Sequence, residues 1–134
     1  MRSIFAIVFI FISSLVFSQE NIFVSDTVGS KTISDNLYNR AAFGDSLASS
    51  FCILIKKEVK LHKHLNHSEH VMVLEGEGMM RLGEKKFKIK KGDLVFIPKN
   101  TIHSVKTTST YPLKVYSIQS PAFDGKDRIM IEEK

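Results

Sequence analysis

The sequence predicts an all-β, single-domain protein, and three observations lead to this fold class. Short apolar runs alternate with turn residues along the chain, and no stretch beyond residue 18 has the 3.6-residue apolar period of a long amphipathic helix. The chain has 134 residues, which suits one domain rather than two. Hydrophobic residues make up 43% of it, enough to bury a core. We therefore expect a small antiparallel β-barrel or β-sandwich.

The first eighteen residues have the pattern of a secretory signal peptide. Arg2 precedes an unbroken apolar run from Ile4 to Ile12, and a serine-containing segment then ends at Ser18. The apolar stretch is shorter than the about 20 residues that a membrane span needs. We expect cleavage before Gln19 and export to the periplasm or out of the cell. An uncleaved anchor or a buried hydrophobic segment is the alternative.

Charge and cysteine content exclude several classes of protein. The net charge of +5 falls by one when Arg2 is removed, which is mildly basic and unlike a nucleic-acid binder. The single cysteine, Cys52, excludes an internal disulfide and a lipid anchor at the cleavage point, so we expect no stable membrane anchor after cleavage. Cys52 lies in an apolar run and is predicted to be a small buried hydrophobic residue.

The rest of the chain divides into short predicted strands. We expect strands at 46–55, 59–65, 69–74, 79–82, 86–89 and 94–97, a strand that holds His103, and strands at 113–119 and 129–131. Glycine-containing turns at 75–78 and 83–84 are each expected to close a hairpin. The predicted organisation is a signal peptide at 1–18, an N-terminal arm or strand at 19–45, and a β-barrel domain at 46–134.

Alternation within residues 85–90 indicates which face of that strand is buried. Phe87 and Ile89 are expected in the core, and the lysines between them are expected to face water. The lysines are more simply a solvated face that discourages edge aggregation than a patch for anionic polysaccharide or nucleic acid.

Three histidines and one carboxylate have the spacing of a metal site. His62 and His64 are two residues apart, Glu69 follows them, and His103 lies about forty residues further on. Residues i and i+2 of a β-strand point to the same face, whereas on a helix they diverge. This donor set suits one first-row divalent metal: Mn, Fe, Co, Ni, Cu or Zn. The alternative for each histidine is a hydrogen-bonded core residue.

Two further histidines are expected to face solvent. His67 lies in the predicted turn between two strands, and His70 has the opposite strand parity to Glu69. His67 retains one functional alternative, which is to gate the mouth of the barrel.

The spacing of these residues resembles the first of two motifs of the cupin superfamily. That motif is a glycine, five residues, His-x-His, three or four intervening residues, a glutamate, six residues and a closing glycine. His62, His64, Glu69 and Gly76 are in register with it, and Lys56 stands at the position of the leading glycine.

The second cupin motif is also recognisable. Gly92, Pro98 and His103 match its glycine, proline and histidine. Asn100 stands where the motif has its inner glycine, and asparagine tolerates the left-handed backbone that such a turn demands. Thr107 stands at the position of the final asparagine.

The resemblance covers residues 56–107 and implies a double-stranded β-helix, or jelly roll. It implies that His62, His64, Glu69 and His103 point into the barrel as metal ligands. It does not specify a reaction, because cupins include dioxygenases, isomerases, epimerases, decarboxylases, lyases and non-enzymatic binding proteins. Since many cupins pair through barrel edges, a homodimer is a further expectation.

The expected lumen offers few groups for catalysis. Val71 and Val73 share the parity of Glu69, and Val73 stands where some cupin lyases carry a tyrosine base. A dioxygenase acting on a small polar organic molecule is therefore the leading expectation, because oxygen activation by a metal needs few acid–base groups from the protein. The alternatives are an isomerase or lyase, a non-catalytic module for a sugar, organic acid or metal, and a structural metal site.

Other residues from elsewhere in the chain remain open as contributors to this site. A base could come from a tyrosine and a carboxylate-binding group from an arginine, although surface ion pairing is the simpler role for the arginines. These residues are Tyr38, Tyr111, Tyr116, Arg40, Arg81 and Arg128.

Overall fold

The computed structural model describes residues 22–23, 25–29 and 35–132, and the predicted signal peptide lies outside these residues. A short 3-10 helix occupies Ser25–Thr27. The strands are β1 (Leu37–Gly44), β2 (Ser49–Ile55), β3 (Glu58–Lys63), β4 (Ser68–Glu75), β5 (Glu77–Leu82), β6 (Lys85–Lys90), β7 (Leu94–Ile97), β8 (His103–Thr107), β9 (Leu113–Ser120) and β10 (Ile129–Met130). Within the described part of the chain, no helix has the length and apolar character that crossing a membrane requires.

The strands form two antiparallel five-stranded sheets, which confirms the predicted all-β fold. One sheet has the order β1-β2-β9-β4-β7 and the other the order β10-β3-β8-β5-β6. β1 begins at Leu37 and pairs along β2, so part of the predicted 19–45 arm or strand is joined to a sheet. The site described below lies between the two sheets, because their facing surfaces enclose the core.

The two glycine turns have different roles. The turn at Gly83 joins β5 to β6 as a hairpin in which Leu82 pairs with Lys85, as predicted. The prediction of a hairpin at 75–78 is wrong, because β4 pairs with β7 and β9 whereas β5 pairs with β6 and β8. Gly76 has a φ of 82° and turns the chain from one sheet to the other.

Apolar side chains from both sheets fill the interior. Val71 and Val73 belong to this core as expected, and Phe87 packs against it. The buried members are Ile55, Val71, Val73, Met80, Ile89, Val95, Ile97, Leu113 and Val115. A second, smaller cluster lies on the opposite face of β2, where Cys52 and Leu54 pack with Val28. Cys52 is buried, as predicted.

A β-bulge in β3 places the paired histidines. Strict alternation from Val59 would direct Leu61 and Lys63 inward and His62 outward. The register against β8 shifts between Val59 and His62, so both residues line the interior. The extra residue of a bulge changes strand parity in this way, and it directs His62 toward the core.

The chain returns to the site after β9. Residues 120–131, which we call the C-terminal strap, end in β10, whose Ile129 and Met130 pair with Lys63 and His62 of β3. The strap therefore lies beside the two histidines that the first motif supplies.

Candidate metal centre

The four predicted ligand residues converge between the sheets. His62 lies on β3, His64 directly follows it, His103 begins β8, and Glu69 lies on β4 of the opposite sheet. One ring nitrogen from each of the three histidines lies within 4.8 Å of the other two. Oε2 of Glu69 is 3.7 Å from Nε2 of His64 and 3.6 Å from Nε2 of His103. All four side chains are buried.

Main-chain carbonyl groups orient all three imidazole rings. His62 and His103 each donate from Nδ1 to the carbonyl two residues earlier, over 2.8 and 2.9 Å. Nδ1 of His64 donates to the main-chain carbonyl of Asp127 in the C-terminal strap. Because a carbonyl only accepts, each Nδ1 carries a proton, and Nε2 is the nitrogen that each neutral ring can offer to a metal. Metal-ligating histidines are held in this way by their second ring nitrogen.

The protonation states also suit a metal. Burial lowers the pKa of His62 to about 3, and burial lowers the pKa of His64 as well. Burial opposes ionisation of Glu69, but the adjacent His103 and Ser117 side chains hold the pKa of its carboxyl at about 2. Neutral imidazoles and an ionised carboxylate are the forms that bind divalent cations. Nε2 of His103 is buried without a hydrogen-bond partner among the described residues, as expected of a nitrogen that coordinates a metal when one is bound.

Two residues of β9 extend the site from Glu69. Oγ of Ser117 donates to Oε1 of Glu69 over 2.5 Å, and Nε2 of Gln119 donates to Oγ of Ser117 over 3.3 Å. Neither residue was among the predicted site residues. The alternation of Leu113, Val115, Ser117 and Gln119 on one face of the strand is the signal that indicates them, because the first two are core residues.

The prediction that His67 faces solvent is wrong. His67 is 3% exposed, and its Nδ1 lies 3.0 Å from Oδ2 of Asp127. The same carboxylate accepts hydrogen bonds from the main-chain N–H groups of Leu65 and Asn66, each over 2.8 Å. A turn residue is buried here because the C-terminal strap covers it, and this contact is not local in sequence. His70 is exposed, as predicted.

A cavity of about 110 Å³ adjoins the four residues. Its walls are mostly apolar and include Val71, Met80 and Phe123. Polar contributions beyond the four residues come from Asn39, Ser104, Gln119 and Arg128. None of the tyrosines considered as a base lines this cavity, although all three are described.

The three arginines considered for carboxylate binding have different environments. Arg40 donates to Oγ1 of Thr27 and lies over the ring of Phe23, away from the cavity. Nε of Arg81 donates to the carbonyl of Gly83. Only Arg128 lines the cavity among these three, and it is exposed at the cavity mouth.

The fold and the site together define a small cupin. The chain belongs to the cupin family, because the family model for the cupin domain matches residues 51–119. The match begins in β2 and ends at Gln119, so the C-terminal strap lies outside it.

The chain is also similar to individual proteins and to a solved structure. An uncharacterized protein of Methanocaldococcus jannaschii is 34% identical over 87 residues, which cover 65% of this chain and 69% of that protein. A mannose-1-phosphate guanylyltransferase of Salmonella muenchen is 38% identical over 71 residues, which cover 53% of this chain but only 15% of the enzyme. A solved structure of an uncharacterized double-stranded β-helix protein from Klebsiella pneumoniae superposes with a TM-score of 0.73 at 16% identity, covering 86% of this chain and all of that one.

Proposed function

We propose that this chain is an exported cupin that holds one divalent transition metal through His62, His64, Glu69 and His103 and acts on a small organic molecule. The observation that supports this proposal best is the common orientation of the three imidazoles. Each ring is held by a main-chain carbonyl at Nδ1, and one ring nitrogen of each histidine lies within 4.8 Å of the other two, beside a buried carboxylate. Three neutral nitrogens and one oxygen suit Fe, Mn, Zn, Ni, Co or Cu.

The cavity next to these residues favours a catalytic site over a purely structural one. A structural metal site is closed by its protein ligands, whereas a catalytic site keeps a position open toward a substrate. A bound metal would supply Lewis-acid or redox chemistry at this position. The apolar walls would exclude water from the reacting molecule, and Ser117 would hold Glu69 in place through its 2.5 Å hydrogen bond.

Oxygen-dependent chemistry is the leading reaction type within this proposal. The described side chains that line the cavity include no lysine, tyrosine, cysteine or aspartate, and no histidine or glutamate beyond the four proposed ligands. A lyase, isomerase or decarboxylase needs such a group to transfer a proton, whereas a dioxygenase relies on the metal and O₂. The same scarcity of acid–base groups favours the second candidate function, a non-catalytic binding module.

The relative from Salmonella muenchen suggests sugar recognition as one form of this binding role. Its name concerns a mannose phosphate, but the matched segment is a small part of that enzyme. A cavity of about 110 Å³ with mostly apolar walls is poorly suited to a nucleotide sugar. A small organic acid fits these walls better, because only one end of such a molecule is polar.

Elemental analysis of the protein purified from its own cell compartment tests the metal proposal. We expect one transition-metal ion per chain, and we expect His62→Ala and His103→Ala to lose it. His70→Ala is the matched control, because this histidine is exposed on β4, next to Glu69, and its substitution should leave the metal content unchanged. Full metal content in His62→Ala or His103→Ala would contradict the ligand assignment. Oxygen uptake with a panel of small organic acids then separates a dioxygenase from a binding module.

A further inference from the structure

Gln119 presents an unsatisfied acceptor to the cavity. The carboxylate of Glu69 can only accept, so Ser117 must donate its single hydroxyl proton to it. Ser117 must then accept from Gln119, which fixes the amide with its Nε2 toward Ser117. Oε1 of Gln119 is left buried, with no hydrogen-bond partner among the described residues, in a side chain that lines the cavity. A ligand with an O–H donor would satisfy it.

Arg128 supplies a positive charge at the cavity mouth. Its side chain lines the cavity, and no hydrogen bond or ion pair of its guanidinium group is found among the described residues. Glu69 is the carboxylate among the described residues that line the cavity with Arg128. A divalent metal at the proposed site would compensate Glu69 and leave the cavity with a net positive charge. An anionic ligand group is therefore expected beside Arg128.

The two polar groups line the same small cavity of about 110 Å³. Gln119 is linked to Glu69 through Ser117, and both Glu69 and Arg128 line this cavity as well. A ligand that meets both groups must carry its hydroxyl and its anionic group near each other. The remaining walls are apolar, with Val71, Met80 and Phe123 among them, so the rest of the ligand is expected to be aliphatic.

From these observations, and resting on the proposed metal site, we infer that the ligand is a small 2-hydroxy carboxylic acid with an aliphatic side chain. Its carboxylate pairs with Arg128, and its hydroxyl group donates to Oε1 of Gln119. Both residues select the ligand by its polar groups, and the apolar walls select the size of its side chain.

Calorimetric titration of the Zn²⁺-loaded protein tests this inference, because zinc binds without redox turnover. The ligands are 2-hydroxy-3-methylbutanoate, 3-methylbutanoate, which lacks the hydroxyl, and 2-hydroxy-3-methylbutanamide, which lacks the charge. We expect the hydroxy acid to bind at least about tenfold more tightly than either analogue, because each analogue loses either the hydrogen bond to the buried Gln119 or the charge pair with Arg128.

Matched variants assign the two contacts. Arg128→Gln is expected to lower the affinity for the hydroxy acid by at least about tenfold. Lys126→Gln removes an exposed positive charge from the same strap and should have little effect on this affinity. Gln119→Met is expected to reduce the affinity of the hydroxy acid to that of 3-methylbutanoate, and thermal unfolding verifies that this variant folds. Equal effects of Arg128→Gln and Lys126→Gln, or equal binding of the acid and the amide, would overturn the inference.

Zinc content distinguishes a failure of the proposed metal site from a failure of the ligand assignment. If the wild-type protein fails to retain zinc at one ion per chain, the proposed metal site is wrong. If zinc is retained but none of the acids binds, the metal site stands and the assignment of the ligand fails.

Discussion

The main-chain carbonyl of Asp127 accepts the Nδ1 hydrogen bond of His64, although the two residues are 63 positions apart. The carboxylate of Asp127 also holds the turn that follows His64, through the N–H groups of Leu65 and Asn66 and the ring of His67. One residue of the C-terminal strap thus orients a proposed metal ligand and fixes the backbone beside it.

Asp127→Ala is predicted to weaken metal binding. The substitution leaves the N–H groups of Leu65 and Asn66 without this acceptor and loosens the carbonyl that orients His64. Loss of such outer contacts lowers metal affinity by roughly 10–100-fold. Competition with a fluorescent zinc chelator measures this change. Asp93→Ala is the control, because Asp93 accepts a similar hydrogen bond from Lys90 in a turn away from the site and should leave the affinity unchanged.

Metal removal is predicted to destabilise the folded chain. A metal that binds only the native state stabilises it by about 2.7 kcal/mol when the free ion is at 100 times its Kd. Thermal unfolding with and without a chelator should show a matching decrease in Tm for the wild type. His62→Ala should unfold at the same temperature under both conditions, and a chelator effect that persists in this variant would indicate a metal bound elsewhere.

Gly76→Ala is predicted to destabilise the fold more than Gly83→Ala. Both glycines have positive φ, so both substitutions incur about 1–2 kcal/mol of backbone strain. A Cβ at Gly76 would also lie 2.9 Å from Oγ of Ser109 and 3.0 Å from the backbone of Pro112 and Leu113, whereas a Cβ at Gly83 meets nothing within 4 Å. In urea, the free energy of unfolding of Gly76→Ala should be lower than that of Gly83→Ala by at least about 1 kcal/mol. Equal losses of unfolding free energy in the two variants would show that the backbone around Gly76 accommodates the added Cβ without cost.

Cys52 is predicted to be chemically inert in the native protein. Its side chain is fully buried, and this burial raises the pKa of the thiol, so little reactive thiolate forms at neutral pH. A thiol-specific reagent should modify Cys52 slowly in native protein and at once in urea. Rapid labelling of the native protein would mean that the segment around Val28 opens readily from β2.

Export is predicted to produce a chain that begins at Gln19. The charged start, the short apolar run and the small residue at Ser18 together indicate cleavage there. Intact-mass spectrometry of protein recovered from the periplasm or medium measures the N-terminus. A chain that retains Met1 in those fractions would be incompatible with this prediction.

Local periodicity predicted which side chains of single strands are buried. The alternation of lysines with Phe87 and Ile89 placed that strand correctly, and strand parity brought Val71 and Val73 into the core. Asn100 has a φ of 60°, the left-handed conformation that the sequence analysis expected at the position of a motif glycine. These features depend on neighbouring residues, which is why a sequence alone reveals them.

Contacts between distant segments were not predictable in the same way. A glycine turn at 75–78 shows that the chain bends but not which strands pair afterwards, so the expected hairpin is instead a crossing between sheets. The burial of His67 depends on Asp127, and the inward orientation of His62 depends on a bulge against β8. Neither partner is marked by a local pattern.

The C-terminal strap has a consequence for the rate at which a metal enters or leaves. β10 contains only two residues, both exposed, and it pairs with β3 alone. Elements with so few buried contacts detach locally at a much smaller free-energy cost than global unfolding. Opening that extends from β10 to Asp127, which anchors the strap, would free the ring of His64 while the barrel stays intact. Metal exchange in this protein is therefore expected to follow the opening kinetics of the strap, and to be far faster than the unfolding of the two sheets.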